Sequence, residues 1–177
     1  MTDTFKPEFD AMLRDGRSVH VRPIHLTDEA ELLQAFERLS PDARYMRFMR
    51  PVRELNMDRA RRRLAALVES GVGIVATVPA EDGLDIVGTA LCVVGTDPMC
   101  GEFAITVAGN YAGAGLGKTL MRTLIERAHR RGLQEMEGFV LSANTPMLRL
   151  ASSLGFSMAR DPEDPSVKVC KLRLADA

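Results

Sequence analysis

Ala112-Gly113-Ala114-Gly115-Leu116-Gly117-Lys118-Thr119 is the stretch that most limits what this chain can become. Glycines at every second position leave the main chain bare, so several N–H groups can turn toward one anion. An alternating apolar run, Glu102-Phe103-Ala104-Ile105-Thr106-Val107, stands just before it. Behind it Leu116, Leu120, Met121, Leu124, Ile125 and Ala128 recur at helical spacing, and Gly132 predicts an end near Arg131. The order is strand, glycine loop, helix. The unpaired N–H groups and the positive dipole end of a helix starting at Gly115 add to the donors of the loop. Such a segment is built to hold phosphate.

A chain of 177 residues, 46% hydrophobic and 27% charged, is sized for one domain with a sizeable core. Residues 1–15 read as a loosely attached lead-in and 16–177 as a single domain. A net charge of -1 gives no electrostatic push toward nucleic acid or membrane. Cys92, Cys100 and Cys170 are widely spaced and form no CxxC pair. They read as reduced thiols of a cytoplasmic protein, and no spacing in the chain suggests a metal site. The opening MTDTFKPEFD carries acids and a proline where a secretion signal needs a basic and then apolar run, and no apolar stretch reaches membrane-spanning length.

Alternation over Arg17–Ile24, with Val19 and Val21 on one face, predicts a first strand. Thr27-Asp28-Glu29 carries a helix-start signal, and Leu32, Leu33, Phe36 and Leu39 continue it. Ser40-Pro41-Asp42 stops that helix and caps a second one, which contains Tyr45, Met46, Phe48 and Met49. A third helix runs from Met57 to Glu69 and is broken by Gly71. Gly73–Val78 and Asp85–Val94 form a hairpin across an Asp-Gly turn. Glu102–Val107, Glu137–Leu141, Phe156–Arg160 and Val167–Leu174 are further strands, and Pro146–Leu154 is a short helix. The class is α+β, a mixed and mostly antiparallel central sheet flanked by helices.

Three phosphate-binding devices compete for the glycine loop. The P-loop pattern fits at Gly117-Lys118-Thr119, but Ala112 occupies its first glycine. The strong strand Gly138–Leu141 ends in Ser142, with no acid to hold magnesium. The dinucleotide pattern G-x-G-x-x-G puts its third glycine on Lys118 or Leu120, depending on where it starts. The third device is the pyrophosphate loop of the GNAT acetyltransferases, which this segment resembles at Gly113, Gly115 and Gly117, with Ala112 replacing the usual Gln or Arg. The second block of that family has its likeness in Asn144-Thr145-Pro146-Met147 followed by Leu154-Gly155-Phe156. Arg22-Pro23-Ile24, Leu39-Ser40-Pro41 and Arg44-Tyr45-Met46-Arg47-Phe48 are similar to the acetyltransferase domain of bacterial Pat-type protein lysine acetyltransferases.

This resemblance implies the GNAT fold and acetyl-CoA as co-substrate, with an amine acceptor. A protein lysine side chain is the preferred acceptor and a small amine the near variant. Glu102 is implied as general base. The backbone of Ile105, Thr106 and Val107 would pair with the pantetheine arm. Ala112, Gly113, Ala114, Gly115, Leu116, Gly117, Lys118 and Thr119 would surround the pyrophosphate, and Asn144 would contact the coenzyme. Two other roles stay open: Glu102 as a strand-edge carboxylate that merely solubilises or pairs with an arginine, and Asn144 as a helix cap. Many members carry a tyrosine, as general acid, where this chain has Ala151. A catalytically weak acyl-CoA sensor is therefore an alternative, and a homodimer is left open by the sequence.

Overall fold

Val19 and Val21 stand two residues apart and are fully buried, as the expected alternation requires. The computed structural model describes residues 6–174. Its strands are β1 (Phe9–Met12), β2 (Ser18–Pro23), β3 (Val72–Ala80), β4 (Gly83–Val94), β5 (Cys100–Val107), β6 (Glu135–Leu141), β7 (Ser157–Arg160) and β8 (Val167–Arg173). The helices are α1 (Glu29–Glu37), α2 (Pro41–Phe48), α3 (Met57–Ser70), α4 (Leu116–Arg130) and α5 (Thr145–Ser153). One eight-stranded sheet runs in the order β1-β2-β3-β4-β5-β6-β8-β7. Every neighbouring pair is antiparallel except β5 and β6. This is the α+β, mostly antiparallel architecture expected of the chain.

The lead-in departs from expectation. Phe9–Met12 pairs with Ser18–Val21 and forms an edge strand. Farther out, Arg127 of α4 donates to the Pro7 carbonyl. Residues 1–5 and 175–177 lie outside the described residues. The first helix starts where its signal predicts, α1 beginning at Glu29 with Asp28 as its N-cap residue after a 3-10 turn, Leu26–Asp28, but the Asp28 side chain does not cap it. The Asp28 carboxylate turns back instead, accepting from the His25 N–H at 2.8 Å and from Arg22 at 2.9 and 2.7 Å. Burial alone would raise the Asp28 carboxyl, but the Arg22 and His25 donors outweigh it and hold it below the usual range.

Helix α4 lies on one face of the sheet, against β3, β4 and β5, and helices α1 and α3 lie on the other against β4. Leu116, Leu120, Met121 and Leu124 of α4 are fully buried, each contributing roughly 2 kcal/mol of burial. Ile24, Leu64, Leu67, Val75 and Ile86 make a second cluster beneath α1 and α3. Val87 bulges from β4 between the pairs Ile86–Thr77 and Gly88–Ala76, and its carbonyl accepts from the Ala108 N–H.

The parallel contact between β5 and β6 is short. It pairs Cys100, Gly101 and Glu102 with Glu135, Met136 and Glu137, and then stops. The next residues are Phe103 and Gly138. A Cβ on Gly138 would lie 2.4 Å from the Phe103 ring, so the ring occupies the space a side chain there would need. Phe103 packs edge-on against Phe156, with centroids 5.1 Å apart. Beyond this wedge β6 stays paired with β8 as far as Leu141, and β5 continues to Val107 with no ladder to β6.

Gly138→Ala is expected to lower stability by about 1–3 kcal/mol in chemical denaturation, because the ring has no room to yield. Gly95→Ala, which meets nothing within 4 Å, should change it by less than about 0.5 kcal/mol. Asp28→Asn strands Arg22, which is 9% exposed, and should cost about 3–5 kcal/mol at neutral pH. Since the folded Asp28 carboxyl is depressed, its contribution is present at neutral pH and is lost as pH falls through the folded value. The gap between wild type and Asp28→Asn should therefore close in acid, and a gap independent of pH would contradict the assignment.

Candidate functional site

The pleat of β5 divides its side chains between two compartments. Phe103, Ile105 and Val107 face α4: Ile105 Cδ1 and Val107 Cγ2 each lie 3.9 Å from where a Cβ on Gly117 would sit. Glu102, Ala104 and Thr106 face the other side, where α2 lies over β5 and β6. Glu102 is exposed between Val93 of β4 and Glu137 of β6. Among the described residues it makes no hydrogen bond or ion pair, so the arginine-paired role is not the one seen. The bonding groups of β5 on its β6 side are free of a ladder from Phe103 onward, next to Glu102.

The glycine loop continues from that edge. Val107 leads through a 3-10 turn, Gly109–Tyr111, to Ala112, and helix α4 starts at Leu116 with Gly115 as its cap residue. Gly113 and Gly115 adopt φ of +75° and +91°, the left-handed region where a side chain is strained. Among the described residues no side chain caps α4, so its first N–H groups are open to a ligand. A Cβ on Gly113 would meet nothing within 4 Å, so the loop is open above that residue. Gly117 instead sits beneath Leu150 of α5, and a Cβ would approach that side chain to 3.3 Å.

The remaining expected residues of the loop fall into distinct roles. Ala114 and Leu116 are buried and present only backbone to this site. Lys118 is exposed and has no hydrogen bond or ion pair among the described residues. Thr119 donates from its hydroxyl to the Gly115 carbonyl at 3.3 Å. Asn144 caps α5, its side chain accepting from the Met147 N–H at 3.3 Å, which leaves its amide donors for another partner. Ala151 is fully buried, and no hydroxyl is available at that position.

On the α2 side, Thr89, Leu91 and Thr106 form the sheet floor of a cavity of about 200 Å³, roofed by Leu32, Phe36 and Phe48. Two arginines reach it. Arg38 is bonded to Asp85 at 2.9 Å. Arg47 is half-buried, 4.9 Å from the Phe48 ring centroid, and has no hydrogen-bond or ion-pair partner among the described residues. Burial pushes its guanidinium below the usual arginine range; the Arg63 charge adds to that push and the Glu102 carboxylate opposes it.

Cys100, Glu135 and Glu137 gather candidate ligand atoms within 4.8 Å of one another on this face. Lys171 already pairs with both carboxylates, at 3.6 and 3.3 Å. Burial pushes the Cys92 thiol up to about 12 and raises Cys170 as well, which leaves both thiols inert. No described helix is long and apolar enough to cross a membrane.

Arg14 is a neighbour of the loop that sequence reasoning missed. Its Nη2 donates to the Gly113 carbonyl at 3.2 Å, and its backbone N–H donates to the Ala114 carbonyl at 3.0 Å. The available signal was the in-and-out alternation of Phe9–Met12 ahead of Gly16, which marks a hairpin but not what its tip touches.

Residues 31–156 match the model of the acetyltransferase (GNAT) family. An acetyltransferase of Pseudomonas aeruginosa is 33% identical over 162 residues, covering 92% of this chain and 87% of that protein. The GNAT domain of S. lividans PAT superposes with a TM-score of 0.83 at 25% identity, covering 94% of this chain and 96% of that one. YncA of Salmonella typhimurium, solved with its cofactor acetyl-CoA, shares the fold at a TM-score of 0.67 and 20% identity, covering 88% and 94%. An open β5 edge running into an uncapped glycine loop thus occurs in a chain whose sequence and fold both match one family, and this chain belongs to the GNAT acetyltransferases.

Proposed function

We propose that the chain transfers an acetyl group from acetyl-CoA to a primary amine, with a protein lysine side chain as acceptor. One observation carries the coenzyme assignment: the β5 edge freed beyond Glu102 leads directly into the bare amides at Gly113 and Gly115 and the uncapped start of α4. An extended amide arm can add to such an edge as a strand does, and a diphosphate suits the amides at its end. Backbone from Ile105 to Val107 would hold the arm, and residues 112–119 the diphosphate. Asn144 can donate to the coenzyme while still capping α5.

Acetyl-CoA supplies the activated acyl group. A lysine ammonium, with a pKa of about 10.4, must lose a proton before its nitrogen can attack at neutral pH. Glu102 would take that proton, directly or through water; its exposure and the lack of a hydrogen bond or ion pair to its carboxylate among the described residues support that role. A β5 N–H near Ile105 would stabilise the oxyanion that develops on the carbonyl. Ala151 provides no acid for the departing sulfur, and a thiolate of pKa about 8.5 leaves unaided.

The Pat-type likeness of residues 22–24 and 39–48 supports lysine as acceptor. The cavity favours a second reading, a small amine that also carries an anionic group, since its walls are mostly apolar and Arg47 among them is a cation able to pair with that group. Release of free thiol from acetyl-CoA, measured with lysine peptides and proteins against polyamines and amino acids, separates the two.

Glu102→Gln should lower kcat by about 100-fold or more and flatten the fall in kcat/KM toward acid, leaving acetyl-CoA affinity intact. A pH–rate profile unchanged by the substitution removes Glu102 from the base role. Gly113→Ala should weaken acetyl-CoA binding about tenfold in calorimetry, from the cost of holding an alanine at φ +75°. Unaltered affinity would argue that the diphosphate lies elsewhere.

A further inference from the structure

The glycine loop has no rigidity of its own: its left-handed glycines have many alternatives in solution, and Ala112 offers only a methyl group. We propose that Arg14 is a positioning residue for this loop, holding the peptides between Gly113 and Gly115 so that their N–H groups face the coenzyme diphosphate. The inference rests on the acetyl-CoA reading above.

The geometry is simple. In a trans peptide the C=O and the following N–H point in opposite directions. Arg14 takes the Gly113 carbonyl with its guanidinium and the Ala114 carbonyl with its backbone N–H. The N–H groups of Ala114 and Gly115, which share those two peptides, are thereby turned away from the hairpin. The Arg14 side chain also lies along Gly115, where a Cβ would fall 3.2 Å from Nε and 3.8 Å from Cγ. Its positive charge sits beside the same amides.

The brace is itself anchored. Leu13 is 4% exposed and belongs to the main core, and its N–H donates to the Arg17 carbonyl at 2.7 Å. Gly16, at φ +87°, allows the tight turn. Arg17 donates to the Asn110 carbonyl at 2.8 Å and lies 3.9 Å over the Tyr111 ring. The hairpin tip therefore grips both ends of the segment from 110 to 115, and Arg14 is its contact with the loop proper.

The test uses the full chain and the Arg14→Ala and Arg14→Lys variants. Calorimetry with coenzyme A and with 3′-phospho-ADP, which keeps the diphosphate but lacks the pantetheine arm, gives the affinities. Steady-state rates give KM for acetyl-CoA and for the acceptor. Arg14→Ala should raise Kd for both ligands about tenfold and raise KM for acetyl-CoA alike, since it loses a charge-assisted bond but keeps the backbone one. The acceptor KM and the rate at saturating acetyl-CoA should stay within about twofold, and Arg14→Lys should recover part of the affinity. Equal rises in both KM values would mean general loosening and would overturn the proposal. So would coenzyme A binding to Arg14→Ala as it does to wild type, with the acetyl-CoA reading left standing. A wild-type chain that binds no coenzyme A removes that reading first, and the inference with it.

Discussion

The Phe103 ring, lodged where Gly138 has no side chain, is the contact on which the rest of this molecule turns. A parallel pair of strands gains a hydrogen bond at nearly every step, so β5 and β6 would otherwise continue to zip. They part after Glu102 and Glu137, at the position where the ring intrudes. Apolar burial against Phe156 holds the ring there, and β8 stays paired along β6 to Leu141, so both strands remain anchored while they diverge. The freed edge, the candidate base just before it and the loop just after it all adjoin this contact.

The parting also separates two chemistries by face. Ile105 and Val107 turn toward α4 and help pack its glycine-bearing first turn. Glu102 and Thr106 turn toward α2, where the walls are apolar and Arg47 is poorly solvated. A coenzyme arm along the backbone edge would lie between these faces, exposing its reactive end to the α2 side without disturbing the core. Pleat geometry alone produces that arrangement, because successive residues of one strand must point in opposite directions.

What could be seen in the sequence was local. The glycine loop, its preceding strand and its amphipathic helix each depend on spacing within a few residues, and Leu116, Leu120, Met121 and Leu124 are buried as their period requires. Ser40 and Asn144 cap helices because capping is also a short-range matter. The misses share the opposite character. Arg14 meets Gly113 across 99 residues, and the insertion of β8 between β6 and β7 is a pairing choice that no local pattern encodes. Asp28 does stand at the start of α1, but its carboxylate serves Arg22 and the His25 N–H instead of capping that helix, because an arginine that is 9% exposed requires a partner more than the first turn of a surface helix does.

The same contrast explains why an edge hairpin lies beside the loop. Main-chain amides bind an anion well only when they already point at it, and glycines that permit the necessary φ values also permit many others. Rigidity must therefore come from outside the loop. α5 supplies it at Gly117 through Leu150, and the hairpin tip supplies it at Gly113 and Ala114 through Arg14. Between those two supports lie Gly115 and the first free amide groups of α4, fixed from both sides although no side chain caps them.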